Sequence, residues 1–213
     1  MRNGTATVFE QVSRKIMDGT YASGTQMVEA ELSAEYGVSR NTVKKVLLML
    51  ENKGYVTIEQ NRSARVRSFT NQEIEEMMQV RGTLEGLVVS LAVPVMTDEQ
   101  ISGMERLLQS MKEHLNKGEL LDYSEGNKAF HQVIYDACPN RTAVNMLVDL
   151  KNQIRKYNIK TILVIGRGQH SYEEHLAVLA DIKNRDAEAA AVHMRAHIAG
   201  VERTMKEYQR FQA

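Results

Sequence analysis

Leu32-Ser33-Ala34-Glu35-Tyr36-Gly37-Val38-Ser39-Arg40-Asn41-Thr42-Val43-Lys44-Lys45-Val46-Leu47 is the stretch that decides the fold. Its spacing is that of two short helices joined by a tight turn, with Gly37 supplying the turn. Leu32, Val38, Val43 and Val46 are the apolar positions that would fix the angle between the helices. Ser39 is a natural N-cap for the second helix, because its hydroxyl can accept from a first-turn amide. That helix is left with Arg40, Asn41, Thr42, Lys44 and Lys45 facing outward. These donor-rich side chains near a helix N-terminus suit a DNA groove. Arg40 and Asn41 match guanine and adenine edges, while Lys44 and Lys45 match phosphates. A merely solvated face would explain one or two such residues, not a polar first turn followed by paired lysines.

Working outward, Val8, Phe9, Val12, Ile16 and Met17 recur at helical spacing and predict a preceding helix that Gly19 closes. Val43, Val46, Leu47 and Leu50 continue the apolar stripe to Lys53-Gly54. Residues 55–58 and 65–67 then read as strands around a polar turn at 59–64. Three helices and a hairpin make a winged helix-turn-helix. Its wing would bring Arg62, Ser63 and Arg65 to the minor groove or its phosphates.

Beyond residue 70 no strand-like alternation occurs. Thr70 with Glu73 forms a capping box that starts a new element. Helices are expected over 71–93, 98–117, 120–137, 140–165, 171–184 and 186–210. The breaks are Pro94, a second capping box at Thr97 and Gln100, Lys117-Gly118, Pro139-Asn140, Gly166 to Gly168, and 184–186. The expected fold is mostly α: an N-terminal winged helix-turn-helix over residues 1–69 and a C-terminal antiparallel all-helical bundle over 70–213.

Composition agrees. The 213 residues carry 27 basic and 27 acidic side chains, so any DNA affinity must be local. Residues 1–67 hold ten Lys/Arg against seven Asp/Glu, and the remainder leans acidic. The single cysteine, Cys138, excludes an intramolecular disulfide and fits a reducing compartment. No run has the ~18 to 20 apolar residues of a membrane span, and no signal peptide is evident. A cytoplasmic protein without a membrane partner is expected.

The N-terminal segment resembles the GntR superfamily of bacterial regulators. The resemblance rests on Ile16-Met17-Asp18-Gly19, Leu32-Ser33, Tyr36-Gly37-Val38-Ser39-Arg40, Val43, 50–56 and the wing 61–66. Where many members read Thr-Pro-Val-Arg-Glu after the Ser-Arg pair, this chain reads Asn41-Thr42-Val43-Lys44-Lys45, and Ser63 stands where the wing usually has glycine. Residues 71–210 resemble the helical ligand-binding (FCD) domain of the FadR branch in its six-helix, VanR-like form. The carriers are Val80-Arg81-Gly82-Thr83-Leu84-Glu85, Asn127-Lys128-Ala129-Phe130-His131, Glu174-His175, and 186–190 with Met194-Arg195-Ala196-His197.

The resemblance implies a regulator, most simply a repressor, that binds a palindromic operator in double-stranded DNA as a homodimer and responds to a small carboxylate effector. It also implies a divalent metal site at Asn127, His131, His175 and His197, for which Zn or Ni is suited. Asn127 replaces the aspartate more frequent in the family. A neutral ligand set leaves the charge of the ion to be met by an anionic effector, with Arg81 as its possible contact. An i, i+4 pair of Arg81 with Glu85 is the simpler account of that arginine. For any single histidine, a hydrogen-bonded core residue is the plainer reading. His193, one turn from His197, is a decoy, and His114 and His170 should face solvent. The alternatives are a metal-dependent enzyme built on the histidines, against which no His-Glu-x-x-His pattern occurs, and an architectural DNA-binding protein.

Overall fold

In a computed structural model, residues 4–59, 63–158, 161, 164 and 166–210 are described. The chain divides into two compact units. One is Met1–Ile74 together with Lys151–Lys156, and the other is Glu75–Leu150 together with Tyr157–Ala213. Each has its own core.

In the first unit, helix α1 spans Gly4–Met17 and turns Val8, Val12 and Ile16 inward. A two-residue strand β1, Gln26–Met27, precedes α2, Glu29–Tyr36, and α3, Arg40–Asn52. Strands β2, Val56–Thr57, and β3, Ala64–Val66, complete the unit. The three strands form a sheet of order β1-β3-β2, with both pairings antiparallel and Arg65 opposite both Gln26 and Thr57. The expected hairpin is therefore widened by a third strand, Gln26–Met27, to which the sequence assigns no element. Two residues are too few to show alternation.

Gly37 ends α2 in the left-handed region (φ 63°), its amide bonding back to Ser33. Ser39 caps α3 by accepting from the Thr42 amide at 3.2 Å. From α3, Val43, Val46, Leu47 and Leu50 enter the core with Leu32 of α2 and Val8, Val12 and Ile16 of α1. Lys15 of α1 bonds Glu35 of α2 at 2.5 Å, and the Tyr21 hydroxyl donates to the same carboxylate at 2.9 Å.

The second unit is helical. Its elements are α4 (Asn71–Ala92, which begins in the first unit), a 3-10 turn at Val93–Val95 carrying Pro94, α5 (Asp98–Lys117), α6 (Leu120–Ala137), α7 (Arg141–Asn158), α8 (Arg167–Lys183) and α9 (Ala187–Arg210). Both capping boxes form, Thr70 with Glu73 and Thr97 with Gln100. Helix α7 stops earlier than expected, and α8 starts earlier. Gly166, not Gly168, is the break: it adopts φ 83° before the first turn, and Gly168 is buried inside that turn.

Short turns fold α5 back along α6 and α8 back along α9, and α5 also packs on α8. A Cβ at Gly126 would stand 2.6 Å from Met111 Cγ, so the glycine sets how closely α6 approaches α5. Cys138 is buried. No described helix is long and apolar enough to cross a membrane.

Candidate functional site

The first two turns of α3 present polar side chains outward while its inner face is committed to the core, and Leu48 and Met49 are exposed further along. Arg40, Asn41, Lys44 and Lys45 are exposed, and no described hydrogen bond or ion pair occupies Arg40, Asn41, Lys44 or Lys45. Thr42 is half-buried, and its hydroxyl lies 3.0 Å from that of Ser39, so it serves the cap as well as the face. In the wing, Arg65 is exposed and donates to the Gly24 carbonyl at 3.2 Å. Ser63 accepts from Gln26 at 2.8 Å, which ties the base of the wing to β1. Arg62 lies outside the described residues. Arg67 stacks on Phe69 at 4.5 Å.

In the helical unit, four elements bring polar side chains into the core. Helix α6 carries Tyr123, Asn127, His131 and Tyr135 at successive i, i+4 positions, so they form one stripe. Helix α8 contributes Arg167, Ser171, Glu174 and His175, α9 contributes His197, and α4 contributes Arg81 and Glu85. His131, His175 and His197 are 1–3% exposed, and each offers a ring nitrogen within 4.8 Å of the others. His193 is exposed and pairs with Asp181, while His170 is also exposed. His114 is half-buried against Glu119 rather than turned fully to solvent.

The outer nitrogens fix the tautomers of His175 and His197. His197 Nδ1 donates to Glu174 Oε2 at 2.8 Å, and His175 Nδ1 donates to the Ser171 carbonyl at 2.5 Å. His131 Nδ1 faces Glu85 Oε2 at 3.5 Å. Carboxylate and carbonyl oxygens only accept, so His175 and His197 carry their protons on Nδ1 and present Nε2 lone pairs inward, while Glu85 at 3.5 Å is too far to fix the tautomer of His131. His131 Nε2 and His175 Nε2 lie 3.3 Å apart. Without an ion, His131 Nε2–H can donate to His175 Nε2 at this distance; with the His131 proton on Nδ1, both nitrogens are free to ligate a cation. Ligands about 2.1 Å from a tetrahedral ion are separated by roughly 3.4 Å.

Burial lowers the His175 pKa to about 3, with the nearby His197 adding to the effect. Burial also lowers His197 to about 4, against the opposing pull of Glu174. Both rings are therefore neutral near pH 7, as metal ligation requires. Asn127 Oδ1 and the Tyr123 hydroxyl are buried without a hydrogen-bond partner among the described residues. An orphaned amide oxygen one helical turn from His131 fits a fourth ligand. The donor set thus fits a divalent ion.

Charged side chains surround the histidines, and of these Arg167 is the one the sequence does not mark. Glu174 is raised by burial, but hydrogen bonds from His197 and Arg167 outweigh this and hold it below the usual carboxylate range. Arg167 Nη2 meets Glu174 Oε2 at 2.8 Å. Glu85 accepts from the Tyr135 hydroxyl at 2.8 Å and from Arg81 at 3.4 Å. The Arg81–Glu85 pair expected from their spacing forms, buried on both sides. Two carboxylates and two guanidiniums cancel, so the shell has no net charge. Tyr123, Tyr135, Ser171 and Arg167 had gone unmarked. The signal was present in the spacing: Tyr123 stands one turn before Asn127 and Tyr135 one turn after His131, and Arg167 and Ser171 stand two and one turns before His175.

Residues 76–200 match the FCD domain, and residues 5–66 match the bacterial regulatory proteins of the gntR family. The HTH-type transcriptional regulator YdhC of Bacillus subtilis (strain 168) is 25% identical over 190 residues, covering 89% of this chain and 85% of its own. The HTH-type transcriptional repressor RspR of Escherichia coli (strain K12) is 20% identical over 200 residues, covering 94% and 88%. Among solved structures, E. coli McbR/YncC has a TM-score of 0.75 at 20% identity, covering 99% of this chain and 100% of that one. These are families of transcription regulators rather than enzymes, which sets aside the metalloenzyme alternative. The chain belongs to the GntR family of regulators, with an N-terminal GntR helix-turn-helix and a C-terminal FCD domain.

Proposed function

We propose that the protein represses transcription from a palindromic operator, which it binds in the cytoplasm as a homodimer, and that a small carboxylate bound at a metal centre in the helical domain sets its DNA affinity. Residues 1–69 bind DNA and 70–213 bind the effector. Arg40 and Asn41 read base edges, and Thr42, Lys44, Lys45, Arg62, Ser63 and Arg65 hold phosphates and sugar. Two-fold symmetry is what a palindrome asks of a protein with a single recognition helix.

The observation that carries the effector reading is the convergence of three buried histidines, with Nε2 of His131 and Nε2 of His175 3.3 Å apart. His131, His175, His197 and Asn127 would hold the ion, Zn or Ni by the softness of the donors. The ion when bound supplies a positive charge and open positions for an oxygen ligand. Four neutral ligands inside a shell of zero net charge leave that charge unmatched, which favours an anion. Arg81, buried, directs two long bonds at a single Glu85 oxygen, both 3.4 Å. Its spare donors suit the carboxylate.

The test is metal analysis of the purified protein, followed by titration of operator-containing DNA with and without a panel of carboxylates. The parent should retain a divalent ion and change its DNA affinity with one member of the panel. His131→Ala and His175→Ala should retain no metal and lose that response while still binding DNA. Asn127→Asp, which adds a negative ligand, should tighten metal binding and weaken the carboxylate. Equal carboxylate affinity in Asn127→Asp and the parent would falsify the charge argument.

A further inference from the structure

Helices α8 and α9 cross where Glu174 lies over Gly200. Gly200 is buried in the interior of α9 and has ordinary helical backbone angles, since it is absent from the positive-φ glycines. Nothing in its backbone asks for glycine, and alanine would favour the helix. Space does ask for it. A Cβ at this position would stand 2.5 Å from Glu174 Oε1. The other oxygen of that carboxylate, Oε2, is the one that accepts from both His197 Nδ1 and Arg167 Nη2, each at 2.8 Å.

We propose that Glu174 is a positioning residue for His197 and that Gly200 is the gap that lets it take up that position. The inference rests on the metal reading above. A carboxylate on Nδ1–H holds the imidazole in one tautomer and orientation, presents Nε2 to the ion and increases its basicity. Arg167 holds the same oxygen from the other side. A methyl at Gly200 meets the end of a flexible side chain, not backbone, so it displaces Glu174 without breaking the helix pair. The cost falls on His197.

The experiment measures Zn2+ affinity of the full chain by competition with a chromophoric chelator. Glu174→Ala and Gly200→Ala should each weaken binding roughly 10- to 100-fold. Glu174→Gln, which keeps an acceptor for Nδ1–H, should recover most of the loss. In the double variant Glu174→Ala/Gly200→Ala nothing remains to be displaced, so its affinity should equal that of Glu174→Ala alone. The metal-free midpoint of Gly200→Ala should fall no further than that of Glu174→Ala, since both lose the same bonds to Arg167 and His197. The inference is overturned by parental Zn2+ affinity in Gly200→Ala, by additive losses in the double variant, or by a metal-free midpoint of Gly200→Ala well below that of Glu174→Ala. A parent protein that binds no Zn2+ would instead remove the metal reading on which the inference rests.

Discussion

Arg40 opens α3 and Lys45 lies in its second turn, both exposed on the face that leaves the core. Their chemistry assigns them different work. A guanidinium at a base edge discriminates sequence by about 1–3 kcal/mol, whereas an ammonium at a phosphate adds affinity on any sequence. Arg40→Ala should therefore lower affinity for operator DNA more than for random DNA, and Lys45→Ala should weaken both and reduce the slope of affinity against salt by about one. Equal losses on specific and random DNA for Arg40→Ala would remove it as a base reader. Both residues were legible in the sequence because exposure follows from helical periodicity. Thr42 shows the limit of such reading. It sits at an outward position, but its hydroxyl is 3.0 Å from the cap serine.

At the scale of elements, the angle between α2 and α3 depends on the turn at Gly37, which takes φ 63° and ψ 33°. No atom lies within 4 Å of a Cβ built there, so substitution meets no steric neighbour and the strain is purely in the backbone. Gly37→Ala should cost roughly 1–2 kcal/mol, the penalty of a left-handed residue with a Cβ. It should appear as a lower unfolding midpoint of the full chain, with unchanged metal content. An unaltered midpoint would show that the turn relaxes to accommodate alanine. Gly200 is the contrasting case, because there the backbone is permissive and a neighbouring side chain fills the space. Gly37 could be picked out from sequence as a turn residue, while Gly200 could not, since its constraint comes from a helix elsewhere in the chain. Strand β1 was missed for a related reason: its two residues are ordered by pairing with β3 rather than by any pattern of their own.

For the whole molecule, burial of the histidines couples stability to pH. In the folded chain His175 and His197 have pKa values of about 3 and about 4, against an ordinary 6.5 in the unfolded chain. Below pH 6.5 the unfolded chain therefore takes up protons that the folded one refuses. Stability is full above that pH and falls on acidification, by up to ~1.4 kcal/mol per pH unit for each histidine. The thermal midpoint of metal-free protein should drop between pH 7 and pH 5, and less steeply in His175→Gln. A flat profile in the parent would show that the rings are not buried as neutral bases. Sequence alone determined the winged helix, the six-helix bundle and the identity of the three histidines, because helical periodicity, capping residues and turn glycines act within a few residues of where they stand. Only the tertiary structure decided that the three rings converge with ring nitrogens facing, that Glu85 and Glu174 stand behind two of them, and that Arg81 and Arg167 cancel those charges. Such contacts join α4, α6, α8 and α9 across many residues of chain. They are set by how the helices pack, which no local pattern encodes.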